Sequence, residues 1–121
     1  MDIQINNLRL CLPRYCMTKN KNLDKIDHIA IQVTNIEESV NWYQKKFKCK
    51  TIYIDKSWAF IQFNNTKLAL VTNTQHPPHF AILDKKISTN PEAITHRDGS
   101  ISIYIKDKDS NFIELIKYKD K

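Results

Sequence analysis

The chain has one glycine, Gly99, in 121 residues, three cysteines, and no apolar run of bilayer-spanning length. Each scarcity excludes something. A membrane helix needs about 20 predominantly apolar residues, so no transmembrane segment is expected. The stretch Met1 to Met17 carries charges and Pro13, and it lacks the continuous apolar run of a signal peptide, so the cytoplasm is the expected location. An odd set of cysteines, Cys11, Cys16 and Cys49, argues against a disulfide framework and agrees with a reducing compartment. Cys11 and Cys16 have no second cysteine pair with which to build a metal knuckle. Cys49 has no histidine near it in sequence and reads as a packing residue, not a nucleophile. The single glycine is expected to mark the tight turn that leads into the last hairpin.

A recognisable nucleic-acid motif is also missing, although the net charge of +6 invites that reading. The lysines are spread along the chain. The densest group, Lys45, Lys46 and Lys48, falls at the end of a predicted helix, where it complements the helix dipole. No nucleic-acid partner is expected, only a general attraction for small anions.

What is present is a phrase used twice. Asp27-His28-Ile29-Ala30-Ile31 returns 51 positions later as Pro78-His79-Phe80-Ala81-Ile82. Each copy starts a strand-like apolar run, and each is followed by two strand-like segments joined by a polar turn: Trp58 to Phe63 with Lys67 to Val71, and Ser100 to Lys106 with Phe112 to Lys117. In the first half, Asn35 with Glu38 offers a capping signal, and Ile36, Val40, Tyr43 and Phe47 form one apolar stripe, predicting a helix. Thr51 to Ile54 is a short strand, so this half reads β-α-β-β-β. The second half lacks the stripe: Ile87 to Arg97 contains Pro91, and its helix is expected to be missing or reduced to a turn. The chain thus divides into an extension, residues 1–24, in which Ile3 to Leu12 reads as a strand or a packing segment, and one α+β domain, 25–121. The domain holds two modules, about 26–72 and 78–118.

Aligning the two closing strands sets Leu68-Ala69-Leu70-Val71 against Ile113-Glu114-Leu115-Ile116, so Glu114 is the counterpart of Ala69. A carboxylate flanked by Phe112, Ile113, Leu115 and Ile116 is costly unless paired or bound to a cation. Two imidazoles and one carboxylate, His28, His79 and Glu114, are the ligand set of a facial triad that binds a divalent metal and leaves positions open. Such a metal polarises an oxygen of a bound substrate.

These residues resemble the vicinal oxygen chelate superfamily, which includes glyoxalase I, bleomycin-resistance proteins, fosfomycin-resistance enzymes and extradiol dioxygenases. The resemblance runs from Ile26 to about Tyr118. It is carried by Asp27-His28-Ile29-Ala30, by Ile36-Glu37-Glu38-Ser39-Val40-Asn41-Trp42-Tyr43, by Pro78-His79-Phe80-Ala81, and by Asp98-Gly99-Ser100 through Glu114-Leu115. The fold it implies is two βαβββ units whose strands form a curved mixed sheet around a cleft. His28, His79 and Glu114 fall on the family's metal positions. Ala69 stands where glyoxalase I has a glutamate, which counts against glyoxalase I activity. By the same resemblance Ser102 and Tyr104 fall on pocket positions of the fosfomycin enzymes, with Tyr104 as the catalytic candidate. Arg97 is a candidate anion contact, and Trp58, Phe60 and Phe63 are candidates to line the cleft. The implied cofactor is a divalent metal, Fe(II) or Mn(II) first and Zn or Ni next. The implied activity is that of a metal-dependent dioxygenase, lyase or transferase acting on a small oxygen-bearing substrate, and the implied assembly is a homodimer.

Other readings compete at each position. Either histidine alone would more often be a packed structural residue, and aromatic residues on strands are more often ordinary core. His76 offers an alternative pair with His79, and His96 reads as a plain loop residue. The whole chain could instead be a metal-independent, drug-sequestering type of binding module, or an interaction domain. The last hairpin turn, Asp107-Lys108-Asp109-Ser110-Asn111, lacks the proline and glycine common in the family, and so is expected to be looser or of another type.

Overall fold

The phrase His-x-Ala explains the centre of the molecule, because it pairs with itself. In the computed structural model, which describes residues 23–119, strand β1 (Ile26–Gln32) runs antiparallel to β5 (His79–Leu83). His28 lies opposite Ala81, and Ala30 lies opposite His79. Each bulky imidazole therefore sits beside the other copy's alanine, on one face of the sheet. The two rings stand edge to face with centroids 5.7 Å apart. Residues 1–22 of the expected extension, with Ile3 to Leu12, Cys11 and Cys16, lie outside the described residues.

Among the described residues the sheet has eight strands in the order β2-β3-β4-β1-β5-β8-β7-β6. The first half supplies β1, helix α1 (Ile36–Lys46), β2 (Lys50–Ile54), β3 (Trp58–Gln62) and β4 (Lys67–Val71). The second supplies β5, a 3₁₀ helix (Lys85–Thr89), β6 (Ile94–Thr95), β7 (Ile101–Lys106) and β8 (Phe112–Lys117). In each half the last strand returns parallel to the first: β4 beside β1, and β8 beside β5. The α+β class and the paired modules read from the sequence are the observed architecture.

Helix α1 forms where its signals stand. The Asn35 side chain accepts the Glu38 N–H at 2.9 Å, Glu37 and Glu38 occupy the first turn, and Lys45 and Lys46 occupy the last. Its stripe buries Ile36 and Val40 against Ala59, Ile61 and Leu70, with Ile31, Val33, Tyr43, Cys49, Phe63 and Leu68 around them. Ile61 and Leu70 are fully buried. Each contributes on the order of 1.5–3 kcal/mol by leaving water. Cys49 is thus a packing residue, as its sequence context suggests. Phe63 belongs to this helix-side core, against Phe47, and is not a cleft residue. Strand periodicity puts it on the face opposite Phe60 once the strand ends.

The second helix is reduced, as expected. Asp84 caps a single 3₁₀ helix by accepting the Lys86 N–H at 2.9 Å, and Ile87 is its one buried residue. The sheet face that α1 covers in the first half is only partly covered here. Ile105 of β7 is exposed on it, as is Ile29 of β1 at the seam.

Two turns answer to each other across the halves. Asp55 accepts the backbone N–H and the hydroxyl of Ser57 at the start of β3; Asp98 does the same for Ser100 at the start of β7. Gly99 has φ +89°, and a Cβ there would lie 2.7 Å from Lys119 Cδ. The positive φ calls for glycine, while the flexible lysine side chain could move aside. The last hairpin turn is not loose. Asp107 accepts the N–H groups of Asp109 and Asn111 and the Asn111 side-chain amide, and Ser110 takes the left-handed conformation, φ 69°.

Candidate metal centre

His28, His79 and Glu114 come from β1, β5 and β8, three neighbouring strands at the middle of the sheet. Their side chains point to one face, and all three are buried. Glu114 Oε1 lies 3.4 Å from His28 Nε2 and 3.3 Å from His79 Nε2, and the three potential ligand atoms all fall within 4.8 Å of one another.

The outer nitrogens decide the tautomers. His79 Nδ1 is 2.7 Å from the Pro77 carbonyl oxygen, which can only accept, so Nδ1 carries a proton. His28 Nδ1 is 2.8 Å from the Asp27 carboxylate and donates in the same way. With Nδ1 engaged outward, each ring turns its Nε2 toward Glu114. This is the arrangement by which outer partners prepare a histidine to bind metal. Two ligand atoms about 3.4 Å apart can share an ion at bonds of about 2.1 Å. The donor set fits a divalent cation.

Asp27 is itself anchored. It accepts the Tyr118 hydroxyl at 2.5 Å and the Lys67 ammonium at 3.1 Å, and Lys67 Nζ lies over the rings of Phe60 and Tyr118. Burial pushes the Asp27 carboxyl up, but the bonds from His28, Tyr118 and Lys67 together hold it below its ordinary value. Burial likewise opposes the charge on Glu114. Hydrogen bonds from His28, His79 and Ser102 outweigh it and keep the carboxyl far below the usual range. Burial also works against a charged His28, and the bonds to Asp27 and Glu114 overcome it, so its pKa is raised. Sequence reasoning missed Lys67 and Tyr118. Strand alternation carried the signal: Lys67 lies two residues before Ala69, and Tyr118 four after Glu114, on the same face.

The remaining candidates separate by position. Tyr104 is the register partner of Glu114; its hydroxyl lies 2.9 Å from His76 Nδ1 and 3.4 Å from His79 Nε2. Burial first, then the Glu114 charge, raises the phenol's pKa well above its ordinary value, so it stays a donor. Burial also lowers the pKa of His76, so its neutral ring accepts the phenol proton. His76 is bound to Tyr104, not paired with His79 toward a common point. Ser102 is buried, and its hydroxyl lies 2.7 Å from His96 Nε2. His96 is a loop residue, as expected, and its ring reaches Ser102. Trp58 reaches the centre indirectly. It stacks on Tyr53 at 4.4 Å and meets Phe60 edge-on, and Phe60 in turn lies 5.0 Å from the His28 ring. Ala30, Ala69 and Val71 pack under these aromatics. Arg97 is exposed in the turn before β7, where its charge acts on the Tyr53 hydroxyl. Beside the triad, Gln32, residues 73–77, Tyr104 and Phe112 line an open depression of about 390 Å³.

Residues 25–83 match the family model described as "Glyoxalase/Bleomycin resistance protein/Dioxygenase superfamily". Solved structures share the fold. A hypothetical protein from Bacillus halodurans C-125 superposes with a TM-score of 0.66 at 20% identity, over 81% of this chain and 96% of that one. Methylmalonyl-CoA epimerase from Mycobacterium tuberculosis gives 0.64 at 14% identity, over 78% and 88%. A glyoxalase/bleomycin resistance protein/dioxygenase superfamily member from Vibrio splendidus 12B01 gives 0.57 at 7%, over 78% and 99%. The resemblance read from the repeated phrases is borne out, and the chain has the glyoxalase/bleomycin-resistance/dioxygenase-like fold.

Proposed function

We propose that this protein is a divalent-metal protein of the vicinal oxygen chelate type, acting on a small molecule with neighbouring oxygens. The observation that carries the reading is the pair of committed Nδ1 protons: Asp27 and the Pro77 carbonyl hold them, so both Nε2 atoms face Glu114. His28, His79 and Glu114 would hold the ion, with Fe(II) or Mn(II) the first choices and Zn or Ni the next. When bound, the ion would supply Lewis-acid polarisation of a chelating substrate oxygen.

The chain's own groups set the rest. Tyr104, protonated and parked on His76, would exchange that partner for a substrate oxygen and donate its proton as a hydrogen bond. Ser102 would meet a substrate oxygen beside Tyr104. Phe60, Ala30, Ala69 and Val71 keep one wall of the cleft dry, with Trp58 backing Phe60. Arg97 would meet an anionic part of the substrate at the rim. Dioxygenase, lyase and transferase chemistry are all compatible with this set, while Ala69 leaves out the fourth ligand that glyoxalase I uses. We assign residues 25–121 to the active domain and 1–24 to an extension, place the protein in the cytoplasm, and expect a homodimer that covers the open sheet face.

A second reading has an observation of its own. The shifts that raise His28 and lower Glu114 describe an ion pair that satisfies the triad without metal, as a drug-sequestering type of binding module would require. Metal analysis of protein purified without an affinity tag separates the two. About one divalent ion per chain is expected; protein that is metal-free and cannot be loaded would overturn the first reading.

A further inference from the structure

The two histidines of the triad are held from outside in different ways. The oxygen 2.7 Å from His79 Nδ1 is the Pro77 carbonyl, a backbone group fixed by the chain itself. The oxygen 2.8 Å from His28 Nδ1 belongs to a side chain, the Asp27 carboxylate, which needs holding of its own. Two residues distant in sequence supply that. Tyr118 donates its hydroxyl at 2.5 Å to Asp27 Oδ2, the same oxygen that meets His28, and Lys67 Nζ lies 3.1 Å from Oδ1. Lys67 Nζ also lies 3.4 Å from the Tyr118 hydroxyl, and over the rings of Tyr118 and Phe60. Lys67, Asp27 and Tyr118 thus close a ring of contacts. Lys67 opens β4, on one side of β1, and is the register partner of His28; Tyr118 follows β8, two strands away on the other side. The carboxylate is gripped from both flanks. The Lys67 and Asp27 side chains are only 20% and 10% exposed, so water competes little for these bonds.

We propose that Lys67 and Tyr118 are positioning residues for the metal site: they clamp Asp27, and Asp27 holds the His28 ring with Nε2 turned toward Glu114. The role rests on the metal reading above and adds an asymmetry to it. His79 is the fixed arm of the triad, and His28 is the arm that side chains set. The outer partner of a ligating histidine is worth about 10–100-fold in metal affinity, and Asp27→Ala should fall in that range. Tyr118→Phe changes no charge and keeps the ring beside Lys67; one bond further out, it should weaken binding by about fivefold. Lys67→Met turns on the sign of the effect. Removing a positive charge beside a cation site would, by Coulomb's law alone, tighten binding. Loosening the clamp weakens it, by about fivefold.

The test uses the full chain with Mn(II) as probe. Dissociation constants are measured by calorimetry for the wild type, Asp27→Ala, Tyr118→Phe, Lys67→Met, and each of the last two combined with Asp27→Ala. Once Asp27 is Ala, neither further change should weaken binding, because the group through which both act is gone. Nitrogen NMR of the metal-free proteins reads the rings directly. The His28 Nδ1–H signal should shift or broaden in Tyr118→Phe and Lys67→Met while that of His79 stays in place; a general loss of folding would move both. Tighter binding in Lys67→Met, unchanged binding in Tyr118→Phe, losses that add in the double variants, or an unchanged His28 signal overturns the clamp and leaves the metal reading standing. Wild-type protein that takes up no Mn(II), Zn(II) or Ni(II) overturns the metal reading, and the proposed role of the clamp with it.

Discussion

The two halves of the sheet line the same cleft with opposite chemistry. Register makes the comparison exact in position: Phe60 pairs with Ala69 as Tyr104 pairs with Glu114, and Trp58 pairs with Val71 as Ser102 pairs with Ile116. Where the first half presents Trp58, Phe60 and Ala69, the second presents Ser102, Tyr104 and Glu114. Each contributes one histidine at the seam. One wall is dry and aromatic, the other carries hydroxyls and the carboxylate. The half with the dry wall also keeps the helix and the fully buried Ile61 and Leu70. Packing and chemistry have been divided between two copies of one plan.

Moving the carboxylate should disturb this division most. Glu114→Gln should remove metal binding to below about 1% of the wild-type affinity, since it takes the only anionic ligand from the triad. Ala69 stands beside Ala30 as Glu114 stands beside Ala81, and the seam relates these pairs. Glu114→Ala combined with Ala69→Glu should therefore restore part of the affinity by supplying the carboxylate from the opposite wall. Calorimetric titration with Mn(II) checks both. No recovery in the double variant would show that the walls are equivalent in backbone only.

The unequal cover of the two halves predicts unequal losses of stability. Leu70→Ala, under α1, should cost about 3 kcal/mol in urea denaturation, within the usual span for a fully buried leucine. Ile103→Ala, on the part of the sheet that has only the 3₁₀ helix, should cost about half as much, since Ile103 is only partly buried. Equal losses would mean that something covers the second half in solution as fully as α1 covers the first.

The halves, the reduced helix and the triad were legible because they are written in period and repetition. His28 and His79 share a phrase, and Glu114 breaks an apolar run at a position where its counterpart is alanine. The contacts that prepare the triad were less legible. Lys67 and Tyr118 meet Asp27 only after β4 and β8 have folded to either side of β1 and β5, a separation of 91 residues between Asp27 and Tyr118. His76 and His96 sit in turns without a pattern, and their rings find Tyr104 and Ser102 through turn geometry. Phe63, which could have lined the cleft or joined the core, shows the opposite limit: aromatic character is plain in sequence, but the face it takes at a strand end is set by packing.

Acidity should separate the ion-paired form of the site from the metal-loaded one. His28 has a raised pKa in the folded protein, so its contribution is complete below the ordinary value of 6.5 and is lost as pH rises through the folded value. Glu114 has a lowered pKa, so its contribution is present above 4.5 and is lost as pH falls through the folded value. For metal-free protein, the pair therefore helps most between 4.5 and 6.5, and thermal stability should decline above that window. Protein loaded with Mn(II) should gain stability over the same rise, because the ion requires neutral imidazoles. Parallel profiles for the two forms would contradict the assignment of His28 as a ligand.

The smallest effect sharpens the comparison at the hairpin turns. The first half closes β3 to β4 with Phe63-Asn64-Asn65-Thr66, and none of these residues has a positive φ. The second closes β7 to β8 with five residues and holds Ser110 at φ 69°. A side chain in that region costs on the order of 1 kcal/mol, and here the three bonds accepted by Asp107 impose it. Ser110→Gly relieves the strain but adds freedom to the unfolded chain, so the net gain should be about 0.5 kcal/mol in urea denaturation. Asn65→Gly, at a turn without that strain, should lose stability instead. A gain at both positions would indicate a general tolerance of glycine in turns, and the strain at Ser110 would then have no special part in closing the half that carries Glu114.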